Sequence, residues 1–318
     1  MFWNILKWIK KNLIISILIA MSLGVLIGAN IDLSFLSVTI LPLTFVLVYP
    51  MMVTLNLGSI FGKMNVKLQV TTQIINFIIF PLITFGLGLL FFREEPFLRL
   101  GLLIIGLLPT SGMTISWTVM AKGNVNAAIK MVVIGLLMGA VLSPLYITLF
   151  LGEAVNVPML KIFIQIIVVI LLPLIAAYLT QIILKRRYTE EVFNTKIKPK
   201  FPLVSILGVV LIIFVAMSLK ADKLIQNPAI LIDILVPLIL MYISFVVVSL
   251  GIAKLFFNRE DGIALSNGTL VRSLSVALAI ALSAFKSFEI TLLIALAYTL
   301  QVQIAAWNVR LAEKLYKK

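Results

Sequence analysis

The sequence predicts an all-α membrane protein of ten transmembrane helices, and three observations carry that expectation: composition, the length of the apolar runs and the placement of positive charge. Of 318 residues, 62% are hydrophobic and 12% charged, with a mean hydropathy of +1.18; a soluble domain is roughly half apolar. A water-soluble fold could not hide that much apolar surface. An α-helix needs about 20 apolar residues to cross a hydrocarbon core of roughly 30 Å. Ten such runs can be counted, at 13–30, 35–57, 69–92, 100–120, 125–150, 158–184, 202–219, 229–257, 262–285 and 288–309.

The formal charge is +14, and its distribution gives the orientation. With ten spans and a cytoplasmic N-terminus, 17 of the 26 Lys and Arg fall in inner segments, five in outer loops, and four (Lys130, Lys161, Lys254 and Arg272) inside spans. This asymmetry is what the positive-inside rule requires of a multi-pass protein of the cell membrane with both termini cytoplasmic. Basicity then records topology and attraction to an anionic lipid bilayer; the loops are too short for a nucleic-acid-binding domain. With no Cys and no His, disulfides, thiolate metal sites and imidazole relays are excluded. No metal or cofactor is expected. Paired carboxylates in the membrane and a phosphate-binding Walker loop are missing too, which argues against an enzyme and against an ATP-driven pump.

Taken in order, the runs are individually informative. Lys7, Lys10 and Lys11 precede the first like the basic leader of a signal peptide. No A-x-A-like cleavage site follows, so it reads as a retained helix. Trp3, Trp8 and Trp307 read as interfacial anchors. Span three carries Gln69, Gln73 and Asn76 on one helical face, a cavity candidate. Other polar positions, among them Asn56, Gln165, Gln301, Gln303 and Asn308, read as interhelical or interfacial. The polar stretch from Lys185 to Lys200 reads as an ordinary cytoplasmic loop.

A division near Gly152 to Val157 leaves five spans on each side, giving repeats at 1–157 and 158–318. An odd number of spans inserts two similar halves in opposite orientation, as in many secondary transporters. Short echoes support the pairing. Phe80-Pro81-Leu82 returns as Val236-Pro237-Leu238, and Ser111-Gly112 meets Asn267-Gly268, both at an offset of 156; Leu41-Pro42-Leu43 and Phe201-Pro202-Leu203 give 160.

Span four places Pro109, Thr110, Ser111, Gly112, Thr114 and Ser116 near mid-membrane. Proline frees carbonyls that lipid cannot satisfy, so such a break belongs beside a polar cavity. A plain kink, with hydroxyls bonded back to their own helix, would explain span four alone. Span nine answers with Ser266-Asn267-Gly268-Thr269-Leu270-Val271-Arg272-Ser273, where Asn267-Gly268 is expected to interrupt a second helix. Paired broken helices point to a substrate site. Candidate substrate-binding residues are therefore Thr110, Ser111, Gly112, Thr114, Ser116, Asn267, Thr269, Arg272 and Ser273. Arg272 lies about 15 Å from the nearer end of its span, and an intramembrane Arg costs at least ~2.5–3.5 kcal/mol on insertion scales, so it faces a cavity or a partner. Asp233 is the nearest thing to an intramembrane counter-charge but sits at the start of span eight; an anionic substrate is the alternative. Lys130 either snorkels or adds a second internal cation.

Phe91-Phe92-Arg93-Glu94-Glu95-Pro96, Pro109-Thr110-Ser111-Gly112 and Ala121-Lys122-Gly123-Asn124 together resemble the bile acid:sodium symporter and arsenite permease superfamily, over nearly the whole chain. The resemblance implies a panel domain of spans one, two, six and seven, and a core domain of spans three to five and eight to ten. The discontinuous helices four and nine would cross in the core beside the substrate cavity. Where the sodium-coupled branch carries oxygen ligands, this sequence has Thr114 and Ile115, Ala128 and Val132, and Asn267, Val271 and Arg272. Most of the oxygens are missing, so the expectation is that Arg272, with Lys130, replaces the coupling ion by side-chain charge. The arsenite branch is similar in the Arg93–Pro96 loop and in Met51-Met52 but carries a functional Cys in span four, absent here. The expected function is alternating-access transport of a small anion without ordinary sodium coupling. The alternatives are efflux of a metalloid, arsenite or antimonite, and a receptor or scaffold; association into a homo-oligomer is left open.

Overall fold

The computed structural model describes residues 2–55, 64–151 and 159–316. Among them the structure is helical, without strands. In chain order the helices are α1 (Phe2–Lys11), α2 (Leu13–Gly28), a 3-10 turn (Ser34–Thr39) leading into α3 (Ile40–Val53), α4 (Val66–Ile74) joined to α5 (Phe80–Phe91) by a π turn, α6 (Pro96–Leu107), α7 (Met113–Met120), α8 (Val125–Leu151) and α9 (Met159–Arg187). Then come α10 (Glu190–Val192), running through π and 3-10 turns into α11 (Phe201–Ser218), α12 (Ala221–Gln226), α13 (Ile230–Phe256), α14 (Arg259–Leu270), α15 (Leu274–Ile280) and α16 (Phe288–Leu315).

Eight described helical runs are long and apolar enough to cross a membrane. The first and fourth sequence runs account for the difference from ten. At 1.5 Å per residue, α2 with its 16 residues rises about 24 Å and α6 with 12 about 18 Å, both short of a hydrocarbon core. α1 turns from α2 by 97°, with Leu6 buried and Phe2, Ile5 and Trp8 exposed. The Lys185–Lys200 stretch, expected as a loop, is wound: α9 ends in Lys185, Arg186 and Arg187, and the π turn Phe193–Ile197 and 3-10 turn Lys198–Lys200 lead directly into α11. The repeat boundary near Gly152–Val157 and Asn56 lie outside the described residues, as does the side chain of Gln165.

Local chemistry explains the helix ends and irregularities. Pro81 cannot donate to the Phe77 carbonyl; a π turn forms at Ile75–Ile79, and the Tyr146 hydroxyl donates to Phe77 O instead. At one end of the molecule Asn65, Asn124 and Asn258 cap α4, α8 and α14, accepting from the backbone N–H groups of Leu68 (3.2 Å), Ala127 (3.0 Å) and Asp261 (2.9 Å). The first two also donate to the Asp261 carboxylate, at 2.9 and 2.7 Å.

The helices pack in two groups. α11 lies along α2 and α3, and α3 along α9; elsewhere α5 packs on α6, α13 on α14, and α16 on α6, α13 and α14. In the first group a Cβ on Gly24 would stand 2.7 Å from Phe214 O, and one on Gly28 would collide with the Ser218 backbone. Small residues thus set the α2–α11 approach. Tyr49 and Thr180 share a 2.7 Å hydrogen bond, Ser205 donates to Leu47 O at 2.8 Å, and Gln181 donates to Val53 O at 2.8 Å.

Candidate substrate cavity

Two short unwound stretches meet at the centre of the second group. Leu108–Gly112 separates α6 from α7, and Val271–Ser273 separates α14 from α15. They bond to each other: Ser111 N–H donates to Val271 O at 3.1 Å, and Ser273 N–H to Leu108 O at 3.0 Å. The first break falls at Pro109, as the sequence predicts. The second begins at Val271, three residues beyond Gly268, and Asn267-Gly268 remain helical in α14. Gly268 is used instead for close packing, since a Cβ there would lie 2.6 Å from Met131 Sδ.

What opens the second helix is Gln301 on α16. Its Oε1 accepts from Arg272 N–H at 2.9 Å and its Nε2 donates to Arg272 O at 3.1 Å, so one side-chain amide replaces the lost ladder of a whole residue. In the first break Thr110 takes a φ of 40°, costly for a β-branched residue. Its Oγ1 is held by donation to Met131 O at 3.2 Å.

The Arg272 side chain completes the arrangement. It is fully buried and its guanidinium reaches the C-terminal ends of both half-helices. Nε donates to Ile105 O at 3.0 Å, Nη1 to Thr269 O at 3.1 Å and to Asn76 Oδ1 at 2.6 Å, and Nη2 to Gly106 O. The rings of Phe80 and Phe245 lie 5.5 and 5.8 Å from it, within cation–π range. Each half-helix terminus carries roughly half a negative charge. Two converging termini therefore present about one elementary charge, which the guanidinium neutralises without a carboxylate.

The other sequence candidates divide by location. Ser111, Gly112 and Ser116 line a cavity of about 870 Å³, in whose wall Arg272 also lies. Thr110 and Ser273 border a smaller pocket beside Met51 and Met52 of α3. Thr114, Asn267 and Thr269 are engaged within the protein: Thr114 Oγ1 donates to Asn267 O at 3.4 Å, Asn267 Oδ1 accepts from Asn308 at 3.0 Å, and the hydroxyls of Thr269 and Ser249 share a 2.7 Å bond. Lys130 is buried on α8, at 6% exposure, which excludes a snorkelling side chain.

The large cavity lies between the two helix groups and reaches the α1–α2 corner, where Lys10 and Lys11 line it together with Lys198. No Asp or Glu among the described residues lines it. Deeper in, Ser275 and Tyr298 share a 2.6 Å hydroxyl bond, and Gln301 and Gln303 add amides to a mainly apolar wall. Ser275 and Tyr298 were not singled out by sequence. The only local signal was a Ser just past the break; Tyr298 is 23 residues away and becomes a neighbour through the fold.

The sequence is similar to those of several known transporters and resistance proteins. The chain is 24% identical to the Arsenical-resistance protein Acr3 of Corynebacterium glutamicum, over 67% of this chain and 60% of that protein. It is 27% identical to the Uncharacterized sodium-dependent transporter YocS of Bacillus subtilis over 51% of this chain and 49% of that one. With Sodium/bile acid cotransporter 7 of Danio rerio it shares 27% identity over 71% of this chain and 68% of that protein. The first two matches thus span about half to three-fifths of the relatives' length. Matched over residues 41–227, more than half of its length, the chain belongs to the Sodium Bile acid symporter family.

Proposed function

We propose that this protein is a secondary transporter of a small organic or inorganic anion, working by alternating access and without ordinary sodium coupling. The observation that carries the anion is the cavity: Lys10, Lys11 and Lys198 line one end, and no Asp or Glu among the described residues lines it. Such a wall raises the local concentration of anions and repels cations. The scaffold in this reading is ten spans in two inverted five-helix repeats. α2, α3, α9 and α11 form the panel, the remaining membrane helices form the core, and both termini face the cytoplasm of the cell membrane.

The coupling reading rests on Arg272. Half-helix C-termini and unwound carbonyls commonly hold the driving cation in secondary transporters. Here a guanidinium, fixed to the chain, takes four acceptors at that place. A cation that cannot leave cannot be co-transported, which favours uniport or proton coupling. This geometry supports an internal-ion role for Arg272 over direct substrate contact, because four of its five N–H donors are already engaged.

Efflux of arsenite or antimonite is the second reading, favoured by the two Acr3 relatives, 24% and 23% identical. Uptake into proteoliposomes across a panel of anions and arsenite, with sodium and pH gradients imposed separately, tests both. Anion flux indifferent to sodium is the expected result; strict sodium dependence overturns the coupling reading. Arsenite accumulation in whole cells that falls when the protein is expressed would favour the second.

A further inference from the structure

Asn65, Gln69, Gln73 and Asn76 stand at i, i+4, i+8 and i+11 along α4 and the turn that continues it, one face of a helix. The stripe starts at exposed Asn65 and ends about 16 Å away, at 1.5 Å per residue, at fully buried Asn76. Its two ends are satisfied. Asn65 donates to Asp261 of α14 at 2.9 Å; Asn76 donates to Gly268 O of α14 at 3.3 Å and accepts from Arg272.

The middle is not. Gln69 donates to Ala127 O of α8 at 3.1 Å, but its Oε1 has no partner among the described residues, nor has either amide atom of Gln73. Both side chains are enclosed, at 3% and 9% exposure. Three orphaned amide atoms on one stripe, walled by α8 and α14, call for a small ligand that both donates and accepts. A metal ion would satisfy the oxygens but not the Gln73 N–H groups, and it would share the stripe with the Arg272 guanidinium, which Asn76 already holds. Like charges in so enclosed a place repel strongly. Water meets every requirement, since buried waters typically bridge such groups.

We infer that the seam between α4, α8 and α14 holds ordered water, reaching from Asn65 to the guanidinium of Arg272. It is a second polar route to the centre: no residue of α4 or α14 lines the large cavity, whose walls come from α1, α2, α3, α7, α11, α15 and α16 with Ile129 of α8. It brings solvent to the internal cation through helices of one group only. The inference does not depend on what is transported.

Hydroxyl-radical footprinting by brief X-ray irradiation of the full chain in lipid nanodiscs tests it, because bound water generates radicals where bulk solvent does not reach. Met131 is the reporter: it is 0% exposed and its sulfur lies against Gly268, whose carbonyl Asn76 holds. Met217 and Met241, equally buried in other helices, are the controls. Met131 oxidation at least about threefold above both controls is expected, falling to their level when Gln69→Leu and Gln73→Leu are combined. Met131 as unreactive as the controls in the wild-type chain overturns the inference, and so does oxidation unchanged in the double variant. The wild-type comparison decides even if that variant fails to fold.

Discussion

Replacing Arg272 by alanine withdraws four donated hydrogen bonds at once, leaving Ile105 O, Gly106 O, Thr269 O and Asn76 Oδ1 without their donor. An orphaned buried acceptor costs about 1–3 kcal/mol, so the four come to roughly 4–12 kcal/mol. The low end applies if water follows into the vacated space. Against a total folding free energy of about 5–15 kcal/mol, ~4 kcal/mol is a large share. At about 2 °C per kcal/mol for a chain this long, the thermal midpoint should fall by roughly 8 °C or more. The measurement is tryptophan fluorescence of purified protein in detergent during heating. Arg272→Lys should fall between wild type and alanine, because an ammonium keeps the charge but has three donors in place of the fork. Low millimolar guanidinium ion should return part of the lost stability to Arg272→Ala, since the free cation can take the same carbonyls. An alanine variant within about 2 °C of wild type, or lysine no better than alanine, would refute the idea that this side chain neutralises two helix termini.

Gln301→Leu should destabilise the fold by about 1–3 kcal/mol, since it orphans the N–H of Arg272 and leaves its carbonyl with only the Leu274 N–H, at 3.0 Å. Gln301→Glu keeps the acceptor and should cost less, by the same melting assay. Gly28→Val places a side chain into the Ser218 backbone and should cost at least about 3 kcal/mol through separation of α2 from α11, seen as loss of monodisperse protein on size exclusion. Combining Ser275→Ala with Tyr298→Phe removes one hydroxyl pair from the cavity wall. With the fold intact, it should raise the KM for uptake about 5–10-fold with little change in maximal rate, the pattern of lost uniform binding. An unchanged KM would place the substrate elsewhere.

The helical membrane architecture was legible because run length and hydropathy are properties of the chain itself. So was the first break: Pro109 removes a donor wherever the helix lies. The second was misplaced because Gly268 signals flexibility but serves close contact with Met131. The true break is made by Gln301, 29 residues downstream, and nothing around Arg272 announces that partner. Polarity near mid-membrane singles out Thr114, Asn267 and Thr269 but cannot tell a wall from an interior; their hydroxyls and amides turn toward neighbouring helices. Lys185–Lys200 looked like a loop because it is polar, whereas its Thr189 cap and continuous backbone turns make it a wound corner.

The interhelical hydrogen bonds described above have a mechanical corollary. Those of α3, α9 and α11 join these helices to one another, and those at the crossing join α6, α14, α16 and the unwound segments. Where α3 faces the crossing, its wall of the smaller pocket consists of Val48, Met51, Met52 and Leu55 against Gly112, Leu136 and Val276, with a few hydroxyls. Thioethers and aliphatic chains exchange contacts with little directional preference. The seam between the two groups therefore works, in the reading proposed above, as a greased bearing: the hydrogen bonds described for each group lie within that group, and the contacts across the seam carry little directional preference.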